Sequence, residues 1–384
     1  MNPGPKTLLI ICGEPSGETY AVGVARSFHR RYPDARMEGI GSVRLAAEGV
    51  RLLLDYSDIS VVGLTEVVRH LPGLVSAMRC AVRRVTQPDV GAVLLVDFPE
   101  FNFRVGRKAH GRNIPVIYYV PPQVWAWRRD RAKSLASFTD GVVVLFPFEE
   151  SMLKEYGVNA RFAGHPLLEE LAPWLDAPPD RIRFGIPEGK RLVGLLPGSR
   201  IGEIRAHLPV MREAAQLICL EFPDVHFALP LASSMLRDAV EKELRGSGLP
   251  LSIVERDRHL LFRGMEVAVA ASGTATLELA LLGVPAVIVY RMSAITYQAV
   301  KRMVKVSSIG LPNLIEGQPF LPELIQADCR PERIAEELRI LLGDTARREA
   351  LAARCRSLRE KLAGPGPSDA VVDMLAREAG GAWG

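Results

Sequence analysis

No run of apolar residues in this 384-residue chain reaches the roughly 20 that a membrane span needs. Nor does the N-terminus read as a signal peptide, because Leu8–Cys12 is only strand-length and a single lysine precedes it. The five cysteines are an odd number, scattered, with no Cys-x-x-Cys pair. That argues against a disulfide framework and a structural zinc, and fits a reducing cytoplasm. The seven histidines lack metal-ligand spacing; His165, between Gly164 and Pro166, reads as a loop residue. There is no Asp-x-Asp, and the nearest approach, Glu255-Arg256-Asp257, carries a cation in the middle. Also missing are a Gly-x-Gly-x-x-Gly dinucleotide fingerprint, a Gly-x-Ser-x-Gly nucleophile elbow and a short-period repeat. The expectation is a chain with no metal and no cofactor.

What is present is 48% hydrophobic and 24% charged residues, enough to bury large cores, on a length that suits two domains. The net charge of +4 is uneven: residues 1–133 hold 19 Lys and Arg against 12 Asp and Glu, +7, which leaves −3 for the remainder. A basic first part suits an anionic surface or substrate. No nucleic-acid motif and no interleaving of aromatic with basic residues goes with it, so nucleic acid is not an expected partner.

Strand and helix patterns alternate throughout, which predicts an α/β protein with parallel sheets. Strands are expected at Thr7–Cys12, Arg36–Gly39, Val90–Val96, Val116–Tyr119, Gly141–Leu145 and Ala160–Phe162, with a helix over Ala21–Arg31. Prolines 173, 178, 179 and 187 then break the pattern, so 173–190 is read as a linker. The pattern restarts with strands at Leu192–Leu196, Val225–Leu229, Leu251–Val254, Val267–Ala270 and Ala286–Val289. The tail from Pro331 is helical, broken by Gly364-Pro365-Gly366-Pro367. The predicted layout is a first domain over 1–172, the linker, a second domain over 191–330 and a helical tail over 331–384. Two doubly wound Rossmann-like domains of this kind would face a cleft, with one substrate held by each half.

Within the first domain, Val90–Val96 is short, continuous and β-branched, the signature of a buried parallel strand, and it runs straight into Asp97. In open α/β sheets ligands bind at that carboxyl end. Asp97 is either a cap for the following helix or a catalytic base. Phe98, Phe101 and Phe103 around it favour the base, since partial desolvation raises a carboxylate's pKa. Gly13-Glu14-Pro15-Ser16-Gly17 is a glycine-bracketed strand-to-helix turn, either purely structural or a substrate loop beside Asp97.

Two turns in the second half invite an anion. Pro197-Gly198-Ser199-Arg200 offers a close backbone and a bidentate guanidinium, with Glu203 in the next helical turn, where a carboxylate suits the dipole by itself. Ser272-Gly273-Thr274 ends a strand and opens a helix, so its free N–H groups suit a pyrophosphate unless Ser272 or Thr274 merely caps. Glu278, one turn on, is placed to accept from ribose hydroxyls. A diphosphate leaving group would be neutralised by Arg200 and helix termini. A last segment, 61–85, spaces Leu64, Val67, Val68, Leu71, Val75, Met78 and Val82 helically opposite Arg69, Arg79, Arg83 and Arg84, and Pro72 fits the first turn of a second helix. It is either an ordinary helix on the sheet or a membrane-surface helix, with Val67, Val68, Leu71, Leu74 and Val75 as the contact.

Taken in order, these motifs resemble the lipid-A-disaccharide synthase family, glycosyltransferases of the two-domain GT-B type. The resemblance runs from Gly13 to about Gln326. Besides the turns already named it rests on Val124-Trp125-Ala126-Trp127-Arg128, Tyr290-Arg291-Met292, Leu311-Pro312-Asn313-Leu314 and Pro322-Glu323-Leu324-Ile325-Gln326. The first motif departs from the family, with Glu18 where an aspartate is usual. The resemblance implies an inverting transfer from UDP-2,3-diacylglucosamine to 2,3-diacylglucosamine 1-phosphate (lipid X), giving the β-1,6 disaccharide 1-phosphate and UDP. It also implies Asp97 as base. Ser199, Arg200, Glu203, Ser272, Gly273, Thr274, Glu278, Tyr290, Arg291 and Asn313 fall on the donor side, and Gly13, Glu14, Ser16 and Gly17 on the acceptor side. C-terminal helices would cross back or between subunits of a homodimer. The enzyme would sit in the cytoplasm, peripherally on the cytoplasmic face of the inner membrane.

Two rivals share parts of this pattern. The undecaprenyl-linked N-acetylglucosamine transferase and UDP-sugar 2-epimerases have the Gly/Thr-plus-Glu loop, but not the Trp125–Trp127 stretch in this setting. A non-catalytic UDP-sugar-binding membrane scaffold would bind UDP without turnover.

Overall fold

The computed structural model describes residues 6–56, 67–122, 130–292 and 308–383. They form two compact units, one made of 1–166 and 362–384, the other of 167–361.

The first unit is built on a seven-stranded parallel sheet. Its strands are β1 (Thr7–Cys12), β2 (Arg36–Gly41), β3 (Arg51–Asp55), β4 (Val90–Val96), β5 (Val116–Tyr119), β6 (Gly141–Val144) and β7 (Ala160–Phe162), in the order β3-β2-β1-β4-β5-β6-β7. Every residue of β1 and β4 is buried, as expected of central strands covered by helices on both faces. On one face helix Pro15–Arg31 puts Ala21, Val24, Ala25 and Phe28 against Leu8, Ile10 and Leu94.

The chain's last helix, Pro367–Glu378, returns to that same core with Val371, Val372, Met374 and Leu375. Each such side chain contributes roughly 1.5–3 kcal/mol when fully buried. Asp369 and Asp373 of this helix meet Ser27, Arg30 and Arg31 at the end of Pro15–Arg31, where cations also suit the helix dipole. Trp383 closes the end of the core edge-on to Phe28, ring centroids 4.9 Å apart.

The second unit repeats the plan with six parallel strands. They are β8 (Arg191–Leu196), β9 (Val225–Pro230), β10 (Leu251–Val254), β11 (Val267–Ala271), β12 (Ala286–Tyr290) and β13 (Glu323–Ile325), in the order β10-β9-β8-β11-β12-β13. Helices Ile201–Glu221 and Pro331–Gly343 supply Met211, Ala215, Ile218, Ile334, Leu338 and Leu341 to the core under β8, β11 and β12.

The expected strands are all present; β3 and β13 are additional. The tail does not stay together. Helices Pro331–Gly343 and Thr345–Leu362 run with the second unit, and Pro367–Glu378 crosses back to the first. The first unit closes at Pro166, short of the expected 172, and 173–190 groups with the second unit because Arg181 anchors it to the carbonyls of Lys190 and Gly264. Pro72 does not open a new helix: one helix runs from Val67 to Val85.

Where the tail re-enters the first unit, two backbone segments touch. The His165 N–H donates to the Leu362 carbonyl and the Gly366 N–H to Ala163, at 2.9 and 3.1 Å. A Cβ on Gly364 would come within 2.3 Å of the Ala163 carbonyl and the Gly164 nitrogen. Those are backbone atoms that cannot swing aside. Gly364→Ala is therefore expected to cost at least about 1–3 kcal/mol in thermal or denaturant unfolding. Gly343→Ala, with open space at its Cβ, is the neutral control.

Candidate active site

In the first unit the chain works outward from β1 to β3, then returns to place β4 on the other side of β1. The switch point lies between β1 and β4, where the ends of both strands open onto one edge. Gly13 follows β1 there and Asp97 follows β4.

Asp97 and Phe98 both adopt left-handed backbone, each with φ of 49°. For a phenylalanine that is a strained conformation, roughly 1–3 kcal/mol. Three hydrogen bonds hold it. The Asp97 N–H donates to the Tyr119 carbonyl at 3.1 Å. The Asp97 carbonyl accepts from Asn102 Nδ2 at 2.6 Å and from the Tyr118 hydroxyl at 2.7 Å. Helix Pro99–His110 begins at Phe98 with no side-chain cap, so the capping alternative for Asp97 is not realised.

Its carboxyl group is pushed up to about 6, chiefly by burial and then by the Glu14 charge, with the Phe98 N–H opposing. The glycines of the first turn make room for this arrangement. A Cβ on Gly13 would fall 2.4 Å from the Phe98 ring, and one on Gly17 would lie 3.1 Å from Asp97 Cβ. Phe98 stacks on Phe101, but Phe103 turns away from Asp97 into the core against Tyr118 and Phe138. The backbone of Ser16 lies in the first turn of its helix; its side chain is outside the described residues. Glu18 is fully buried and accepts from the Ser42 N–H at 2.5 Å, the Ser42 hydroxyl at 2.7 Å and the Tyr56 hydroxyl at 2.9 Å. It ties the turn after β2 to the first helix.

The second unit has its switch point between β8 and β11. Arg200 ends the turn after β8, with its side chain exposed. Glu203 is occupied locally, accepting from the N–H groups of Ser199 and Arg200 at 2.8 and 3.2 Å. Gly198, at φ 120°, lets Glu203 lie against the turn, since a Cβ would come 2.6 Å from that of Glu203. After β11, helix Thr274–Leu281 begins at Gly273 without a side-chain cap. Ser272 points its hydroxyl elsewhere, to the Ile309 carbonyl at 2.9 Å.

Glu278 is buried and held by Arg258 at 3.0 Å and His259 at 3.2 Å, with Trp174 against the His259 ring. Tyr290 ends β12 and Arg291 follows it, with the Arg291 N–H donating to His207 Nε2 at 2.9 Å. Asn313 is 1% exposed, and all its polar capacity serves the protein. Its amide group donates to the Leu321 carbonyl and Glu323, and its oxygen accepts from the N–H groups of Phe320 and Leu321. It shapes the turn before β13 and has no side-chain atom left for a ligand.

Sequence reasoning missed Arg258, His259 and His207. The only signals for them are a cation beside a histidine just after β10, and a histidine on the apolar face of a helix.

Of the expected membrane residues, Val67, Val68 and Leu71 have side chains outside the described residues, as does the whole Trp125–Trp127 stretch. Leu74 and Met78 pack against the core beside Ala77, Ala81 and Val85, while Val75 is 45% exposed. Arg84 is not free for a membrane, being paired with Glu38 and Asp89. Among the described residues no helix is long and apolar enough to cross a membrane.

Two parallel α/β units, each with polar turns at its switch point, define the GT-B class of glycosyltransferases and related nucleotide-sugar enzymes. The structure of UDP-GlcNAc 2-epimerase from Neisseria meningitidis bound to UDP-GlcNAc aligns with a TM-score of 0.58 at 12% identity, covering 97% of this chain and all of that one. MurG from Acinetobacter baumannii aligns with a TM-score of 0.58 at 15% identity, again over 97% and 100%. At those identities the likeness is one of fold. The sequence goes further. The family model for lipid-A-disaccharide synthetase matches residues 8–365. The lipid-A-disaccharide synthase of Geobacter sulfurreducens is 38% identical over 371 residues, 96% of each chain, and that of Myxococcus xanthus 37% over 375 residues, 97% of this chain and 98% of the other. The chain belongs to the lipid-A-disaccharide synthase family, and is an enzyme of lipid A disaccharide synthesis.

The raised Asp97 has a measurable effect on stability. With a folded pKa of about 6 above an unfolded value of about 3.9, ionised Asp97 opposes folding, so stability is lost as pH rises from about 4 to about 6. That gap between folded and unfolded values corresponds to roughly 2–3 kcal/mol. Asp97→Asn should therefore be more stable than the wild type in urea at pH 8 by up to that amount, and lose the advantage near pH 4. Equal stability differences at both pH values would show that Asp97 ionises freely.

Proposed function

We propose that Asp97 is the general base of an inverting transfer from UDP-2,3-diacylglucosamine to lipid X. The observation that carries this reading is a carboxyl group raised to about 6, strained backward off the helix cap at a switch point, beside Glu14 and the two turn glycines. Asp97 removes the proton of the acceptor's 6-hydroxyl as that oxygen attacks the donor's anomeric carbon. The bond from that carbon to the UDP oxygen breaks on the opposite face, inverting the configuration. A base is best when its pKa lies just below the working pH.

Charge then accumulates on the departing diphosphate. Arg200, Arg291 and the uncapped N–H groups at Gly273 and Thr274 are suited to receive it. Glu203 keeps the Ser199–Arg200 turn in shape. Glu278, fixed by Arg258 and His259, retains lone pairs for the ribose hydroxyls. Tyr290 and Asn313 frame the nucleotide side, Asn313 by shaping its turn. Gly13, Glu14, Ser16 and Gly17 take the acceptor side. The scheme needs neither a metal nor a cofactor, and the partners it implies are the two lipids, the inner-membrane surface and a homodimer formed through the C-terminal region. An epimerase reading has only the fold in its favour.

The decisive assay is mass spectrometry of the product formed from the two lipids. Asp97→Asn should keep UDP affinity but lower turnover by about 10²–10⁴-fold. Near-normal turnover in that variant would leave Asp97 a structural residue.

Attachment at the cytoplasmic face of the membrane is the second part of the proposal, motivated by acyl chains on both substrates. Replacing Val67, Val68, Leu71, Leu74 and Val75 by serine should move the protein from the vesicle pellet to the supernatant. Salt alone should release only part of the wild type, because apolar contact is not screened. UDP binding should survive. A serine variant that still pellets puts the contact elsewhere, and one that unfolds makes the stripe core.

A further inference from the structure

His207 joins two loops that the reaction scheme treats separately. It lies in helix Ile201–Glu221, fully buried, with Nδ1 at 2.9 Å from the Pro197 carbonyl and Nε2 at 2.9 Å from the Arg291 nitrogen. The carbonyl can only accept and the peptide N–H can only donate. The proton must therefore sit on Nδ1, and Nε2 must present its lone pair. Two backbone groups thus fix both the tautomer and the charge, since a proton on Nε2 would face the Arg291 N–H head-on.

The surroundings agree. Burial holds the imidazole's pKa below its ordinary value; the Pro197 carbonyl and Glu203 pull the other way, and the Arg291 charge adds to the depression. The Tyr290 ring lies 5.9 Å from the imidazole. The bridge also has a definite place in the sheet. Pro197 follows β8 and Arg291 follows β12, and β11 runs between those two strands. His207 therefore spans the end of β11, the strand that carries the Ser272-Gly273-Thr274 turn.

We propose that His207 is a positioning residue for the donor: as a neutral Nδ1–H imidazole it fixes the Pro197–Arg200 turn against the Arg291 peptide, so that Arg200, Arg291 and the helix start between them address one diphosphate. This rests on the donor-side reading given above. A buried histidine that only filled space would require neither bond.

The two bonds can be removed one at a time. In His207→Gln the side-chain oxygen reaches the Nε2 position and still accepts from Arg291, while the Pro197 bond is lost. In His207→Asn the amide nitrogen keeps the Pro197 bond, and Arg291 loses its acceptor. Each variant lacks one hydrogen bond, so their melting temperatures should fall alike. UDP affinity by calorimetry should separate them: within about threefold of wild type for Gln, and about tenfold weaker for Asn. Donor KM should follow that order while acceptor KM stays unchanged. Acidification should weaken UDP binding in the wild type more than in the Gln variant, which cannot protonate.

Equal UDP affinity in the two variants overturns the proposal. So does ¹⁵N NMR of the wild type at pH 7 showing His207 as the Nε2–H tautomer or as imidazolium, a measurement that does not depend on either variant folding. Arg200→Ala tests the underlying reading separately. If it binds UDP like the wild type, the donor assignment fails whatever the two His207 variants do.

Discussion

Two left-handed residues straight after β4 set the chemistry of the first unit. A carboxylate at the residue where a helix begins normally accepts from the helix's own N–H groups, and such bonds lower its pKa. Here the reversal at Asp97 and Phe98 makes Phe98 the first flanking residue, so Asp97 stands one position too early to cap. Its charge is left with burial and the Glu14 carboxylate, both of which oppose ionisation, against the single Phe98 N–H. The strain and the raised pKa are thus one feature. It persists because the Asp97 peptide is gripped from both sides by buried partners, Tyr119, Asn102 and Tyr118. Net contributions of roughly 0.5–1.5 kcal/mol per hydrogen bond are of the size needed to offset it.

The second unit solves a different problem. Its loops must present backbone N–H groups and arginines without losing their shape, and polar side chains bonded to the loops' own backbone do that work. Glu203 serves the turn after β8, Glu323 accepts from Ile309 and Gly310, Gln326 pairs with both backbone groups of Met292, and Asn313 saturates the turn before β13. A fully satisfied polar network of this kind rigidifies a loop, whereas a partly satisfied one would destabilise it. The consequence is a division of labour. Side chains suggestive of ligand contact in the sequence, Glu203 and Asn313, are bound to the protein's own backbone, whereas the cations Arg200 and Arg291 stand exposed.

That division explains what could be read in advance. Central strands declare themselves because a strand covered on both faces must be continuously apolar, as β1 and β4 are. β3 is a half-buried edge strand bounded by Arg51 and Asp55, and β13 is three residues long, so neither rises above its surroundings. Asp97 is legible because it stops an apolar run, and the Ser272–Thr274 turn because glycine sits between a strand and a helix. Glu18, His207 and the Arg258–His259 pair are not, since their partners lie 10 to 84 residues away and no local pattern encodes such contacts. Asn313 stands out in the sequence, but its role as a turn-former does not, for the same reason.

The helix Val67–Val85 shows where periodicity stops being informative. An apolar stripe at helical spacing looks the same whether it faces a sheet or a bilayer. From Leu74 onward its inward face is Ala77, Ala81 and Val85, small residues that bring the helix close to the sheet, and Arg84 is held by Glu38 and Asp89. What this half leaves outward is Val75 with Arg79 and Arg83. One partly inserted valine is worth less than about 1.5 kcal/mol, and an arginine near anionic headgroups about 1 kcal/mol. Sums of that size give only marginal attachment, comparable to a single lipid anchor. If this enzyme is held firmly at a membrane, most of the apolar free energy therefore has to come from residues before Leu74, or from another part of the chain.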